Sequence, residues 1–192
     1  MDAIEGPDPA GREAPAASGT GTGLRGEYFA NAEWQGEPAV VRDDARIWFE
    51  IDPKLKGGLI PAHWGDGAPA EGLPANNFTV RWTGELEPRF SEDYQLIVEG
   101  DVESAVRVWI GDRLVLEDDG VSGRRAQRFG GGYFCRRSHS VPLPLEAGTR
   151  VPIKIEYRHG KGQAGIHLMW QSRTQDRQHV PTRFLFPAAA AL

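Results

Sequence analysis

The chain has 192 residues with 22 Lys plus Arg against 27 Asp plus Glu, a formal net charge of −5; this gives no long-range field to gather polyanions, so nucleic acid is not expected as a partner. Cys135 is the single cysteine, which excludes an intramolecular disulfide and a cysteine-based zinc site. No window approaches the roughly 18 consecutive apolar residues of a membrane-spanning helix, so membrane insertion is not expected.

Residues 1–22 are almost entirely Gly, Ala, Pro, Ser, Thr and acids. Such a composition buries too little apolar area to offset its ordering entropy, so a flexible linker or leader is expected. With acids at Asp2 and Glu5 and no apolar central block, it is not a recognisable signal peptide. Residues 52–77 hold Pro, Gly, His63 and Trp64 and are expected to form a long loop. Period-two alternation then sets in. Tyr94, Leu96 and Val98 share one face, as do Val106, Val108 and Ile110, with Arg107 and Trp109 opposite. Gly111-Asp112 has the chemistry of a tight hairpin turn into a strand over 114–116. Residues 118–139, "DDGVSGRRAQRFGGGYFCRRSH", are expected to be a second long loop. Two readings of it stand: a solvated hairpin around Gly130-Gly131-Gly132, or an anion-holding patch of Arg124, Arg125, Arg128, Arg136 and Arg137 among Phe129, Tyr133 and Phe134.

Val151, Ile153, Ile155 and Tyr157 predict a further strand, and Ile166, Leu168 and Trp170 another. Residues 188–192 are a short tail. Prolines interrupt most candidate helices, and many short strands with frequent turn signals point to an all-β fold, an antiparallel two-sheet β-sandwich with long loops. Trp82, Trp109 and Trp170 are expected between the sheets, and Arg81 and Arg107 are expected to need carboxylate or carbonyl partners. No enzyme is expected. Cys135 and His139 are only locally spaced, with no third orienting group. The five histidines make no H-x-x-x-H pattern, and Glu85 and Glu87 would share one face of a turn rather than oppose each other across a cleft.

Six blocks in order, "GLRGEYF" (23–29), "NFTVRWTG" (77–84), "AVRVWIGDRLV" (105–115), "LEAGTRVPIKIEY" (145–157), "AGIHLMW" (164–170) and "HVPTRFLFP" (179–187), resemble the PA-fourteen domain family, named for part of anthrax protective antigen and found in yeast flocculins, fungal adhesins and glycosidase inserts. The resemblance covers 23–187 and implies the same β-sandwich. It also implies carbohydrate recognition. In the sugar-binding members two adjacent aspartates before the V-R-x-W strand hold Ca²⁺, which binds sugar hydroxyls. Here Glu103-Ser104-Ala105 stands in front of Val106, preceded by Asp101, so the adjacent pair is absent.

The expected ion site is therefore atypical, Asp101 with Glu103, against a plain solvated hairpin end. Asp118 and Asp119 are reserve ligand groups on the returning strand, and Tyr133, Phe134 and Trp64 are candidate loop aromatics for stacking on a sugar. The implied function is a non-catalytic carbohydrate-binding module for adhesion or targeting, with a glycan or polysaccharide as partner and Ca²⁺ as the ion the resemblance suggests. The alternative is a structural or protein-interaction module that has lost the sugar site. An extracellular or cell-surface location follows from the resemblance alone.

Overall fold

The computed structural model describes residues 17, 19–50, 62–64, 67–120, 127–129 and 133–189. Their architecture is two antiparallel β-sheets facing each other, with one 3₁₀ turn at Thr182–Phe184. The first sheet comprises β1 (Leu24–Phe29), β2 (Val40–Asp44), β5 (Phe78–Leu86), β7 (Ser104–Ile110), β8 (Arg113–Asp118), β12 (Val151–His159) and β15 (Leu185–Pro187). Its order is β2-β1-β5-β12-β7-β8, with β15 also pairing β5. The second comprises β3 (Trp48–Glu50), β4 (Ala62–His63), β6 (Glu92–Asp101), β9 (Gln127–Phe129), β10 (Tyr133–His139), β11 (Leu143–Leu145), β13 (Ile166–Ser172) and β14 (Gln178–His179). Its order is β4-β3-β13-β6-β10-β9, with β11 beside β6 and β14 beside β13.

The predicted alternation holds where inward residues are apolar. Leu96 and Val98 of β6, Val106 and Val108 of β7, Ile153, Ile155 and Tyr157 of β12, and Ile166, Leu168 and Trp170 of β13 all lie in one buried core. Gly111 takes φ 57° in the β7–β8 hairpin, a conformation glycine adopts without steric cost. Arg81 and Arg107 find carboxylates, at 3.1 Å from Glu156 and 2.8 Å from Glu117.

Three expectations are corrected. Trp109 is not between the sheets: in register with Lys154 it lies on the outer face, with the Lys154 ammonium 3.8 Å from its ring centroid. Trp64 is not an exposed loop aromatic. It is 3% exposed, stacked on Phe49 at 4.1 Å and parallel to Trp82 at 6.3 Å, and that core position leaves it no face to offer a ligand. Residues 133–139 of the expected second loop are strand β10, paired with β6 over Cys135↔Asp101 to His139↔Ile97 and antiparallel with β9 over Tyr133↔Phe129 to Cys135↔Gln127. Arg124 and Arg125 lie outside the described residues.

Candidate functional site

The sequence places its candidate acids at one end of the sandwich, where β6 turns into β7 and β8 leaves the sheet. Asp101 closes β6 and is 2% exposed. Both its carboxylate oxygens are engaged by the protein. Oδ2 accepts the Tyr157 hydroxyl at 2.5 Å and the Gly165 amide at 3.4 Å; Oδ1 accepts the Glu103 amide at 2.9 Å and faces His159 Nδ1 at 3.3 Å. Tyr157 comes from the central strand of the facing sheet, so this carboxylate ties the two sheets together. Burial, and then the charge of Asp101, push the Tyr157 phenol well above its ordinary pKa. The Asp101 carbonyl in turn accepts the Ser104 hydroxyl at 2.8 Å, closing the two-residue turn.

Glu103 sits exposed on that turn, and its carbonyl accepts the Gly160 amide at 3.0 Å. Asp118 is opposite Val106 in the β7–β8 register and is brought to the same end. Its carboxylate accepts the Ser138 hydroxyl at 2.7 Å and the Gly120 amide at 3.1 Å. Asp119 is exposed beside it. Between the two acidic segments lies Arg136 of β10, 7% exposed. Its Nη1 donates to the carbonyls of Val102 and Gly120, each at 2.8 Å, its Nη2 to the carbonyl of Ser104, and its Nε lies 3.4 Å from Asp118 Oδ2.

Calcium does not suit this donor set. The ion takes about six to eight hard oxygens, whereas the Asp101 carboxylate is held by hydroxyl and amide donors and the loop carbonyls converge on a guanidinium. Among the described residues no group of three or more His, Cys, Asp or Glu side chains could hold a metal ion. Tyr133 and Phe134 are strand residues of β10, opposite Phe129 and Arg128.

A second cluster, on the outer face of the second sheet, escapes the sequence reading. The register aligns Trp48 (β3), His167 (β13), Glu99 (β6) and Arg137 (β10) in one row across four strands. Trp48 stacks on His179 of β14 at 3.9 Å and meets His167 edge-on at 6.2 Å. His167 Nδ1 lies 3.6 Å from Glu99 Oε2, and Arg137 Nε donates to Glu99 Oε1 at 2.5 Å. Burial works to raise the Glu99 pKa, but the His167 hydrogen bond and the Arg137 hydrogen bond and charge outweigh it and hold the carboxyl below its ordinary value. The one available signal was polar alternation: His167 interrupts Ile166 and Leu168, and Glu99 follows Val98.

A two-sheet module of this order is a β-sandwich, and comparison identifies its family. Residues 21–182 match the PA14 domain model, and the chain belongs to that family. It is 34% identical over 176 residues to the anti-sigma-I factor RsgI3 of Acetivibrio thermocellus, covering 91% of this chain and 23% of that protein. The anti-sigma factor domain-containing protein from Clostridium clariflavum superposes with a TM-score of 0.69 at 28% identity, over 88% of this chain and 48% of that one. The PA14 sugar-binding domain from an RTX adhesin shares the fold, with a TM-score of 0.61 at 15% identity over 88% of this chain and 99% of that domain. This chain thus spans under half the length of the first two relatives.

Proposed function

We propose that this PA14 domain is a non-catalytic recognition module that binds a carbohydrate on behalf of a larger protein. The observation that carries the reading is the row Trp48–His167–Glu99–Arg137: an indole, an imidazole, a carboxylate and a guanidinium aligned across one sheet face. Sugars are held by such sets, the aromatic ring packing against axial C–H groups and the charged pair accepting from and donating to adjacent hydroxyls. Glu99, held below its ordinary pKa, offers a carboxylate whose oxygens only accept, which suits hydroxyl donors.

The test is a glycan array probed in the presence and absence of chelator with the wild-type domain, Trp48→Ala and Glu99→Gln. Retention of one glycan class is expected, together with at least a roughly tenfold loss in each variant, about 1.4 kcal/mol. A domain that retains no glycan, or a Trp48→Ala variant that binds like wild type while melting at the same temperature, sinks the reading. A protein-interaction role is the second reading, favoured by the 34% identity to an anti-sigma factor. A domain silent on the array that captures a segment of its own parent protein would establish that reading instead. Placement at a cell surface belongs to the carbohydrate reading; among the described residues no helix is long and apolar enough to cross a membrane.

A further inference from the structure

We propose that Arg136 is the resident cation of the β6–β7 turn and of the chain leaving β8 at Gly120, a guanidinium that gathers their carbonyl oxygens, so that this end of the domain assembles without a metal. The proposal rests on what the guanidinium touches. Three main-chain carbonyls, of Val102, Ser104 and Gly120, and one carboxylate oxygen, of Asp118, converge on a single buried side chain. Those three carbonyls belong to two separate connections, one flanking the β6–β7 turn and the other following β8. Carbonyl oxygens aimed at one point repel each other and are not left facing each other in a buried site without a positive partner.

The surrounding chain is built to bring them together. Gly120 has φ 79°, and a Cβ there would stand 2.8 Å from the Ser104 carbonyl oxygen, so only glycine lets the second connection approach the first. Ser138, two residues along β10 on the same inward face, donates at 2.7 Å to the same Asp118 oxygen, Oδ2, that faces the guanidinium. Asp101, the acid expected to chelate, is turned away toward Tyr157, His159 and Gly165. Arginine suits the task because its planar fork offers several fixed donors and stays charged at every accessible pH.

The role is independent of whether the ligand is a sugar, and the test needs no ligand. Thermal melts of the wild-type domain, with millimolar calcium or with chelator, are expected to coincide, and terbium, a luminescent calcium stand-in, is expected to show no protein-sensitised emission. Arg136→Ala, which leaves the oxygen cage empty, is expected to melt about 10 °C lower. Millimolar calcium or guanidinium is expected to return part of that loss by refilling the cage. Arg136→Met keeps the side-chain length without the charge and is expected to melt as low as Arg136→Ala, with Arg136→Lys between them and wild type. A calcium-dependent rise in the wild-type melt, terbium emission abolished by Asp101→Asn, or an Arg136→Met variant as stable as wild type would each overturn the proposal. The wild-type measurements decide it even where Arg136→Ala does not fold.

Discussion

Buried carboxylates in this sandwich are met by several donors at once, from neighbouring strands or from the facing sheet. Asp44 accepts Tyr28 at 2.5 Å and Trp82 Nε1 at 2.7 Å, with Arg42 Nε at 2.8 Å on its other oxygen; Asp101 is held by Tyr157 and main-chain amides. Each acid thus spends its lone pairs on donors that themselves would be costly to bury alone. Replacing Tyr157 by Phe removes one donor to Asp101 and leaves a charged oxygen short of a partner in a fully buried site. A loss of about 2 kcal/mol is expected in urea unfolding at neutral pH. The same pair fixes an alkaline limit. A phenol whose folded pKa is raised keeps its proton in the native state after the unfolded chain has released it near pH ~10. Its stabilisation is therefore complete below that pH and drains away as the pH climbs toward the folded value. Wild type is expected to lose stability steeply above that point, and Tyr157→Phe less steeply; parallel alkaline profiles would show that the phenol is not the coupled group.

At the scale of the element, the central strand β5 carries β12 along one edge and two shorter strands on the other. β1 pairs with its first part, over Arg25↔Thr83 to Phe29↔Thr79, and β15 with its last, over Leu185↔Leu86 to Pro187↔Gly84. The close approach of β15 depends on Gly84, where a Cβ would lie 2.1 Å from the Phe186 carbonyl oxygen. Gly84→Ala is expected to push β15 outward, costing about 2 kcal/mol. Hydrogen exchange should then accelerate at the Ala188 and Glu87 amides, which bond across this junction to Thr83 and Phe184; unchanged protection there would show that the backbone absorbs the methyl group.

Strands of this kind also mark where the sequence is legible. β6, β7, β12 and β13 could be read from alternation because their inward residues are apolar. β10 could not, because its inward residues are Arg136 and Ser138, whose burial is made tolerable by carbonyls and a carboxylate supplied by distant segments. For the same reason Asp101 was visible as an acid at a turn but not as a partner of Tyr157, 56 residues away along the chain. The Trp48–His167–Glu99–Arg137 row depends on the pairing of four strands, which local periodicity does not contain. Trp64 lies in a Gly- and Pro-rich stretch whose composition predicts exposure, yet the gap between Phe49, Phe78 and Trp82 takes its ring.

At the scale of the molecule, the entry and exit of the sandwich run side by side. The Gly21 amide donates to the Arg183 carbonyl at 2.8 Å and the Gly23 amide to that of Leu185 at 3.0 Å, while the Gly19 amide reaches the buried Glu87 carboxylate at 3.1 Å. Gly19 and Gly21, expected to belong to a flexible leader, are thus fastened to Glu87 and to the 3₁₀ turn before the last strand. A domain whose ends meet on one edge can be carried within a longer chain without separating its neighbours, and closeness of ends is what circular permutation requires. The related anti-sigma-I factor devotes only part of its length to the matched region. A permutant that joins residue 189 to residue 19 through a short Gly/Ser linker, with new ends opened at the exposed Gly111-Asp112 turn, is expected to keep the β-sheet circular dichroism spectrum and a single cooperative melt. The cut breaks the β7–β8 hairpin connection but leaves its ladder from Val106↔Asp118 to Ile110↔Arg113 available for pairing. Ends opened instead between Val102 and Glu103 would sever the turn that presents the Val102 and Ser104 carbonyls to Arg136, and that permutant is expected to melt well below the first. Equal melting of the two would show that the loop end is not tied down by the arginine, whereas failure of the first alone would show that the β7–β8 turn, rather than the paired termini, organises the sheet.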